Sequence, residues 1–346
     1  MLLTAPRVRL LGGPTPLERM RRLEAETGHA GLWIKRDDCM SLGLGGNKLR
    51  SLEFWLGEAR AAAADVLLVA GRTVSNQCRL TAAAAAKLGL DCVIVHNDDP
   101  PARDEGNLLL SRLYGADLRF VGPMDEDERA QRVEALRREL EAGGRRPYIV
   151  GEPVTGALGY VAAAVELHSQ ALEAGIGLRH VVLPGSMGPT EAGFLFGNAL
   201  LGAPFTVHLV SVEYPVDELR RRIGDILRGL AARTGASPPD PEGCARYYGD
   251  YLGEGYEHPT PEALAAIRRL AATEALLLEM TYTAKPFAGL LDLVERRVLP
   301  PDEPVCAIHT GGVPALFAQA SLLTGGAGRA DPPGTAPDPS AGSLRR

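Results

Sequence analysis

The stretch "SLGLGGNKLRSLEF" (residues 41–54) decides how this chain is read. It follows the strand-like run "GLWIKRDD" (31–38) and sets small, flexible residues ahead of one lysine, Lys48. A helical spacing of apolar residues, Leu49, Leu52, Phe54 and Leu56, begins straight after. A cation in the first turn of a helix opposes the helix dipole, so lysine is mildly unfavourable there. On spacing alone Lys48 fits a surface lysine near a helix start, while the glycines beside it leave room for a bulky group. A lysine of lowered pKa that forms a Schiff base accounts for both features. A nucleotide phosphate loop does not, because it needs a hydroxyl residue after the lysine and Leu49 stands there.

Outward from this seam, apolar runs and helical patterns alternate. "DVLLVAG" (65–71), "DCVIVH" (91–96), "DLRFVG" (117–122) and "RPYIVG" (146–151) read as strands. Between them, "CRLTAAAAAKLGL" (78–90), "EGNLLLSRLYG" (105–115) and the charged "DEDERAQRVEALRRELEAGG" (125–144) read as helices. A second series follows: "ALGYVAAAVELHSQALEAG", "HVVLPG", "TEAGFLFGNALLG" and "TVHLVSV". The order implies an α/β fold of mostly parallel sheets covered by helices. The segment "ELRRRIGDILRGLAART" is basic on one face and reads as a solvated amphipathic helix.

Composition excludes several classes. At 346 residues the chain suits two domains or one large one. Hydrophobic content of 45% and charged content of 23% are those of a soluble globular protein. A net charge of −6 argues against nucleic acid or an acidic membrane surface as partner. The start, "MLLTAPRVRLLGG", carries no apolar stretch of secretory type, and no run is long enough to span a membrane. Five scattered cysteines, Cys39, Cys78, Cys92, Cys244 and Cys306, form no C-x-x-C pair. They fit reduced cytoplasmic thiols, not a disulfide framework or a zinc site, and no metal is expected. The Gly-, Pro- and Ala-rich segment 325–346 is expected to be disordered.

A Schiff-base cofactor such as pyridoxal phosphate needs a phosphate cradle. "HVVLPGSMGPTEAGF" (180–194) supplies a strand, a turn with Gly185, Ser186, Gly188 and Thr190, and a helix start. Amides at that start and the two hydroxyls would hold a dianionic phosphate. Such a turn is common in α/β proteins, and it gains weight only beside Lys48. In "AGRTVSNQCRLTAAAA" (70–85), N-capping accounts for one of Ser75, Asn76 and Gln77. The other two remain for a substrate carboxylate. "MTYTAKPFAG" (280–289) and "AIHTGGVPALF" (307–317) each set hydroxyls beside a glycine or proline break. His309 reads as structural. No G-x-G-x-x-G follows a strand, which argues against a dinucleotide site.

Together these stretches resemble the D-cysteine desulfhydrase and 1-aminocyclopropane-1-carboxylate deaminase family of pyridoxal-phosphate enzymes, of the tryptophan-synthase-β-like fold type. The resemblance runs from about Pro14 to Phe317 through "IKRDD", "GGNKLRSLEF", "SNQCR", "TAAAAAKLGL", "GALGYVAAAVEL", "GEGYEHPTPEA" and "HTGGVPALF". It implies a large cofactor-binding domain (1–46 and 161–324), a small domain (47–160) and a homodimer. It makes Lys48 the Schiff-base lysine and places Asn76 on the cofactor ring oxygen. Gly185, Ser186, Gly188 and Thr190 become the phosphate loop, and Ser75, Asn76 and Gln77 the substrate turn. Tyr256 and Tyr282 match the two active-site tyrosines, catalytic with Lys48 and Ser75. Thr283 and Thr310 fall where the pyridine nitrogen and the substrate side chain are met.

Within the family, "TYTAK" and "HTGG" are desulfhydrase-like, whereas Gln77 is the deaminase-like choice. Glu279-Met280-Thr281 replaces "DPV", Ala284 replaces a glycine, and Pro189 adds a residue without an amide to the phosphate loop. The implied reaction is β-elimination from a small β-substituted amino acid, giving pyruvate, ammonia and the leaving group. Ring opening of the cyclopropane substrate, an L-cysteate-type lyase and a cofactor-binding homologue without turnover are the alternatives.

Overall fold

Among the described residues, ten strands sort into two separate sheets, and the chain order explains which strand joins which. The computed structural model describes residues 5–324, so the segment expected to be disordered lies outside the described residues. The chain opens with β1 (Leu17–Arg19), α1 (Arg21–Thr27) and β2 (Leu32–Arg36), and then enters α2 (Lys48–Ala61). Next come β3 (Val66–Ala70), α3 (Asn76–Leu88), β4 (Asp91–His96), α4 (Gly106–Leu113), β5 (Asp117–Phe120), α5 (Glu126–Ala142) and β6 (Pro147–Ile149). After α6 (Pro153–Glu173) follow β7 (His180–Gly185), α7 (Pro189–Leu200), β8 (Thr206–Ser211), α8 (Val216–Thr234) and β9 (Arg246–Tyr248). The last elements are α9 (Pro261–Glu274), α10 (Ala284–Glu295), β10 (Val305–His309), α11 (Val313–Ala318) and α12 (Ser321–Thr324).

The four-stranded sheet has the order β5-β4-β3-β6 and is parallel throughout. The six-stranded sheet has the order β1-β2-β10-β7-β8-β9, parallel except for β1 against β2. Parallel strands are covered on both faces, which is why β7 and β10 are buried along their whole length. In the small sheet the chain runs outward from β3 to β5 and returns across it to β6. That reversal leaves a crevice at the carboxyl ends of β3 and β6, where ligands bind in open α/β sheets.

Helix ends follow local chemistry. Asp125 and Glu128 form a reciprocal capping box on α5, whose buried residues are only Val133 and Leu136. The helix α8 buries Leu219, Ile223, Ile226, Leu227 and Leu230 along one stripe and leaves its arginines outside, as its spacing predicts. The helices α6 and α7 pack backbone to backbone: a Cβ on Gly193 would lie 2.1 Å from the Ala157 carbonyl. The boundary expected after Tyr160 therefore falls inside α6, a continuous 21-residue helix. No helix among the described residues is long and apolar enough to cross a membrane.

Beneath α2 lies a buried ionic network. Arg50 grips Asp37 with two hydrogen bonds, Nε to Oδ2 at 2.8 Å and Nη2 to Oδ1 at 2.7 Å. It also reaches Glu166 of α6 at 2.9 Å, and Lys35 of β2 meets the same carboxylate at 2.5 Å. Tyr160 donates its hydroxyl to Asp37 at 2.7 Å. The start of α2 is thereby tied to β2 and α6.

Candidate active site

The glycines before Lys48 are required by backbone contact more than by an incoming group. Gly45 and Gly46 adopt φ of 67° and 124°, and a Cβ on Gly45 would lie 2.2 Å from the Asp38 carbonyl. The Asn47 amide donates to the Thr310 carbonyl at 3.0 Å, and Gly311 packs directly on Gly46. The turn before α2 is thus sealed to the turn after β10, which sets Lys48 beside Thr310.

A cavity of about 800 Å³ opens there between the two sheets. Its walls come from the carboxyl ends of strands: Gly71, Ser75, Asn76 and Gln77 after β3, Val150 and Gly151 after β6. Across it stand Ser186, Gly188 and Thr190 after β7, Glu213 after β8, and Thr310 after β10. Tyr256 and Tyr282 also line it. Residues from distant parts of the sequence meet in one place because every parallel strand points its carboxyl end the same way.

The Lys48 ammonium takes part in no hydrogen bond or salt bridge among the described residues. Burial pushes its pKa down, while the carboxylates of Glu191 and Glu213 pull it up again. Ser75 caps α3 by accepting the Cys78 amide at 3.3 Å, which leaves the first amides of that helix for another acceptor. The Asn76 Oδ1 accepts from Asn107 Nδ2 at 3.0 Å, so its Nδ2 is the end left to donate. The hydroxyls of Tyr256 and Tyr282 share a 2.5 Å hydrogen bond. Burial holds both phenols protonated, and Glu213 adds to the effect.

Two expected residues lie off the cavity. Gly185 ends β7, and its missing side chain makes room for Leu219, whose Cδ2 would lie 2.5 Å from a Cβ there. Thr283 is buried against Glu279: its Oγ1 accepts the Glu279 amide at 2.8 Å and donates to the Glu279 carbonyl at 3.1 Å. Glu279 itself accepts the amides of Thr281, Tyr282 and Thr283 and so forms the floor of the turn that presents Tyr282. His309 is structural, with Nδ1 accepting the Gly311 amide and Nε2 donating to the Leu277 carbonyl.

Sequence reasoning missed Glu191 and Glu213. Ser186 donates its amide to Glu191 and its hydroxyl to Glu213, both in short contacts. Glu191 was signalled, since an acid at the third helical position commonly reaches back to a preceding amide. Glu213 was not, because only the pairing of Gly185 with Ser211 brings it opposite Ser186. Trp55 was missed as well; it lines the cavity from α2 and donates Nε1 to the Glu152 carbonyl at 2.8 Å.

The donor set suits pyridoxal phosphate. The amides of Met187, Gly188 and Thr190 face a helix start, the free Nδ2 of Asn76 can donate to a ring oxygen, and an unpaired lysine lies within reach of the same cavity. Comparison with known proteins agrees. The family model "Pyridoxal-phosphate dependent enzyme" matches residues 8–311. The chain is 38% identical over 322 residues to a D-cysteine desulfhydrase of Yersinia pestis (strain Pestoides F), covering 90% of this chain and 96% of the relative. It superposes on the crystal structure of an ACC deaminase homologue with a TM-score of 0.86 at 31% identity, over 93% of this chain and 96% of the other. The Escherichia coli diaminopropionate ammonia lyase, at 18% identity and a TM-score of 0.64 over 91% of this chain and 87% of that one, shares the fold. With Lys48, the strand-end cavity and the match over most of its length in agreement, the chain belongs to the pyridoxal-phosphate-dependent enzymes, with pyridoxal phosphate as its cofactor.

Proposed function

We propose that this protein catalyses β-elimination from a small β-substituted amino acid, as a D-cysteine desulfhydrase does, releasing pyruvate, ammonia and the β-substituent. The observation that carries this reading is the Lys48 ammonium, without a hydrogen-bond partner among the described residues, in a cavity that also presents Ser75, Asn76, Tyr256, Tyr282 and Thr310. Pyridoxal phosphate supplies the electron sink that makes loss of an α-proton feasible. Lys48 would hold it, and its Nζ, of lowered pKa, would take the α-proton of the substrate. Asn76 Nδ2 would orient the ring oxygen, and Ser186, Gly188 and Thr190, on the loop that follows Gly185, would hold the phosphate. The start of α3 with Ser75 and Gln77 holds the substrate carboxylate. The Tyr256–Tyr282 pair donates a proton toward the departing group. Thr310 meets the ring and substrate side with a neutral hydroxyl. Glu279, buried behind Thr283 and held by three amides, is kept from the cavity.

That neutrality separates elimination from cyclopropane ring opening. A cyclopropane amino acid has no α-hydrogen, so its opening needs a stronger electron sink than the neutral hydroxyl of Thr310 supports, and the Thr283 hydroxyl is turned to Glu279. The purified protein should therefore show a near-visible absorbance band and release pyruvate from D-cysteine or β-chloro-alanine. It should give little 2-oxobutanoate from 1-aminocyclopropane-1-carboxylate. Faster ring opening than elimination from every D- and L-β-substituted amino acid tried would overturn this reading. Gln77 is the one cavity residue on the side of ring opening. The two separate sheets support a small domain between the flanks of a large one, the expected span 47–160 ending within α6. The free thiols fit a cytoplasmic setting. Exposed Leu109 and Leu113 on α4, with Phe317 on the adjoining α11, support a homodimer.

A further inference from the structure

The loop assigned to the cofactor's phosphate already holds a carboxyl group against one of its own amides. Glu191 is the third residue of α7 and is 2% exposed. Its carboxylate takes the Ser186 amide, and Glu213 takes the Ser186 hydroxyl, so both polar groups of that serine are engaged by acids. Pro189 has no amide to add. A dianionic phosphate entering this loop faces two carboxylates, Glu191 buried and Glu213 partly so, and like charges at close range repel. Lys48 from α2 is the cation that acts on both acids. Among the described residues, the elements packed on α7 bring one further cation to the cavity wall, Arg222. From α8, Arg222 lies with its backbone by Gly188 but sends its guanidinium to Glu126 and Glu218. From α6, Tyr160 directs its hydroxyl to Asp37. Glu213 helps keep Tyr256 and Tyr282 neutral and itself takes a side-chain hydrogen bond from Tyr214.

We propose that Glu191 is a resident anion of the phosphate loop, which the cofactor's phosphate displaces from the Ser186 amide and drives to take up a proton. Loading of pyridoxal phosphate is then coupled to uptake of one proton and weakens as the solution becomes more alkaline. Burial already favours the neutral acid at this position, so the proton has a ready seat. The inference rests on the assignment of this loop to the phosphate and of Lys48 to the anchor.

The test uses the full-length protein stripped of cofactor, titrated between about pH 7 and 9, where the phosphate (second pKa about 6) is already dianionic. Pyridoxal phosphate and pyridoxal, which lacks the phosphate, are bound to the unmodified protein and to Glu191→Gln. The apparent Kd for pyridoxal phosphate should rise with pH more steeply in the unmodified protein, by up to about tenfold per pH unit. Glu191→Gln should flatten that excess slope and bind more tightly at the alkaline end. Pyridoxal should show the same pH dependence with both proteins. Calorimetry of the unmodified protein in buffers of different ionisation heat should find up to one more proton taken up with pyridoxal phosphate than with pyridoxal, a comparison that needs no variant. Equal slopes and equal proton uptake would overturn the proposal, as would an excess slope that survives in Glu191→Gln because Glu213 carries the proton. Absence of any absorbance band from either compound would instead remove Lys48 as the anchor.

Discussion

Burial in the cavity and a place in the first turn of α2 both disfavour the Lys48 ammonium, with only Glu191 and Glu213 opposing them. A lysine in that balance loses its proton more readily than a free one and can act as a nucleophile. Because its ammonium is not part of the packing, Lys48→Ala should remove the near-visible band and leave the melting temperature nearly unchanged. Absorbance after gel filtration, with a thermal melt, checks this; a full band surviving in the variant would exclude Lys48 as the anchor. Residues on strand-to-helix turns, such as Ser75, Asn76 and Thr190, were legible because a turn after a parallel strand has one direction to face. Thr283 was not legible in the same way. Its neighbour Glu279 reaches back over three amides and draws the Thr283 hydroxyl inward, a choice of rotamer that no spacing encodes.

At the scale of elements, α2 is held by charge as well as by apolar packing. Arg50, on the second residue after Lys48, is buried between Asp37 and Glu166. Truncating one partner of such a buried set leaves the others uncompensated, so Arg50→Met should cost about 3–5 kcal/mol in a denaturant melt. The network also predicts acid sensitivity. Burial alone would raise the Glu166 carboxyl, but Arg50 and Lys35 outweigh it and hold the group down at about 2 from an ordinary 4.5. Its contribution is complete above about pH 4.5 and is lost as the pH falls toward 2. An acid titration followed by circular dichroism should therefore show stability dropping through that window, with a smaller drop in Glu166→Gln. Apolar periodicity made the longer strands and helices readable. The three-residue edge strands β1 and β9 were not readable, since "LER" and "RYY" show no apolar run, whereas the equally short β6 sits in the apolar "YIV".

At the scale of the molecule, two polar ties cross the cavity mouth. Glu126 on α5 accepts from Tyr214 at 2.8 Å and from Arg222 of α8 at 2.9 Å. Arg72, after β3, bridges Asp98 at 2.9 Å and Glu257, next to Tyr256, at 3.4 Å. Both ties are partly solvated, and such pairs stabilise by about 0–1 kcal/mol each. Replacing Glu126 and Arg72 together by alanine should shift the melting temperature by only a few degrees. It should speed exchange of bound cofactor for a competitor several-fold, read by rapid mixing; unchanged exchange would show that the ties do not guard the mouth. No single stretch of sequence announces these contacts, because each joins a residue of one sheet's surroundings to a residue of the other's. Trp55 offers a way to watch them. The chain has two tryptophans. Trp33 lies on β2 near the Arg19 guanidinium, away from the cavity, whereas the Trp55 indole forms part of the cavity wall. A bound chromophore absorbing in the near-visible would accept excitation from Trp55 across that wall, so the dimming of its emission meters cofactor arrival and departure in real time without any added label.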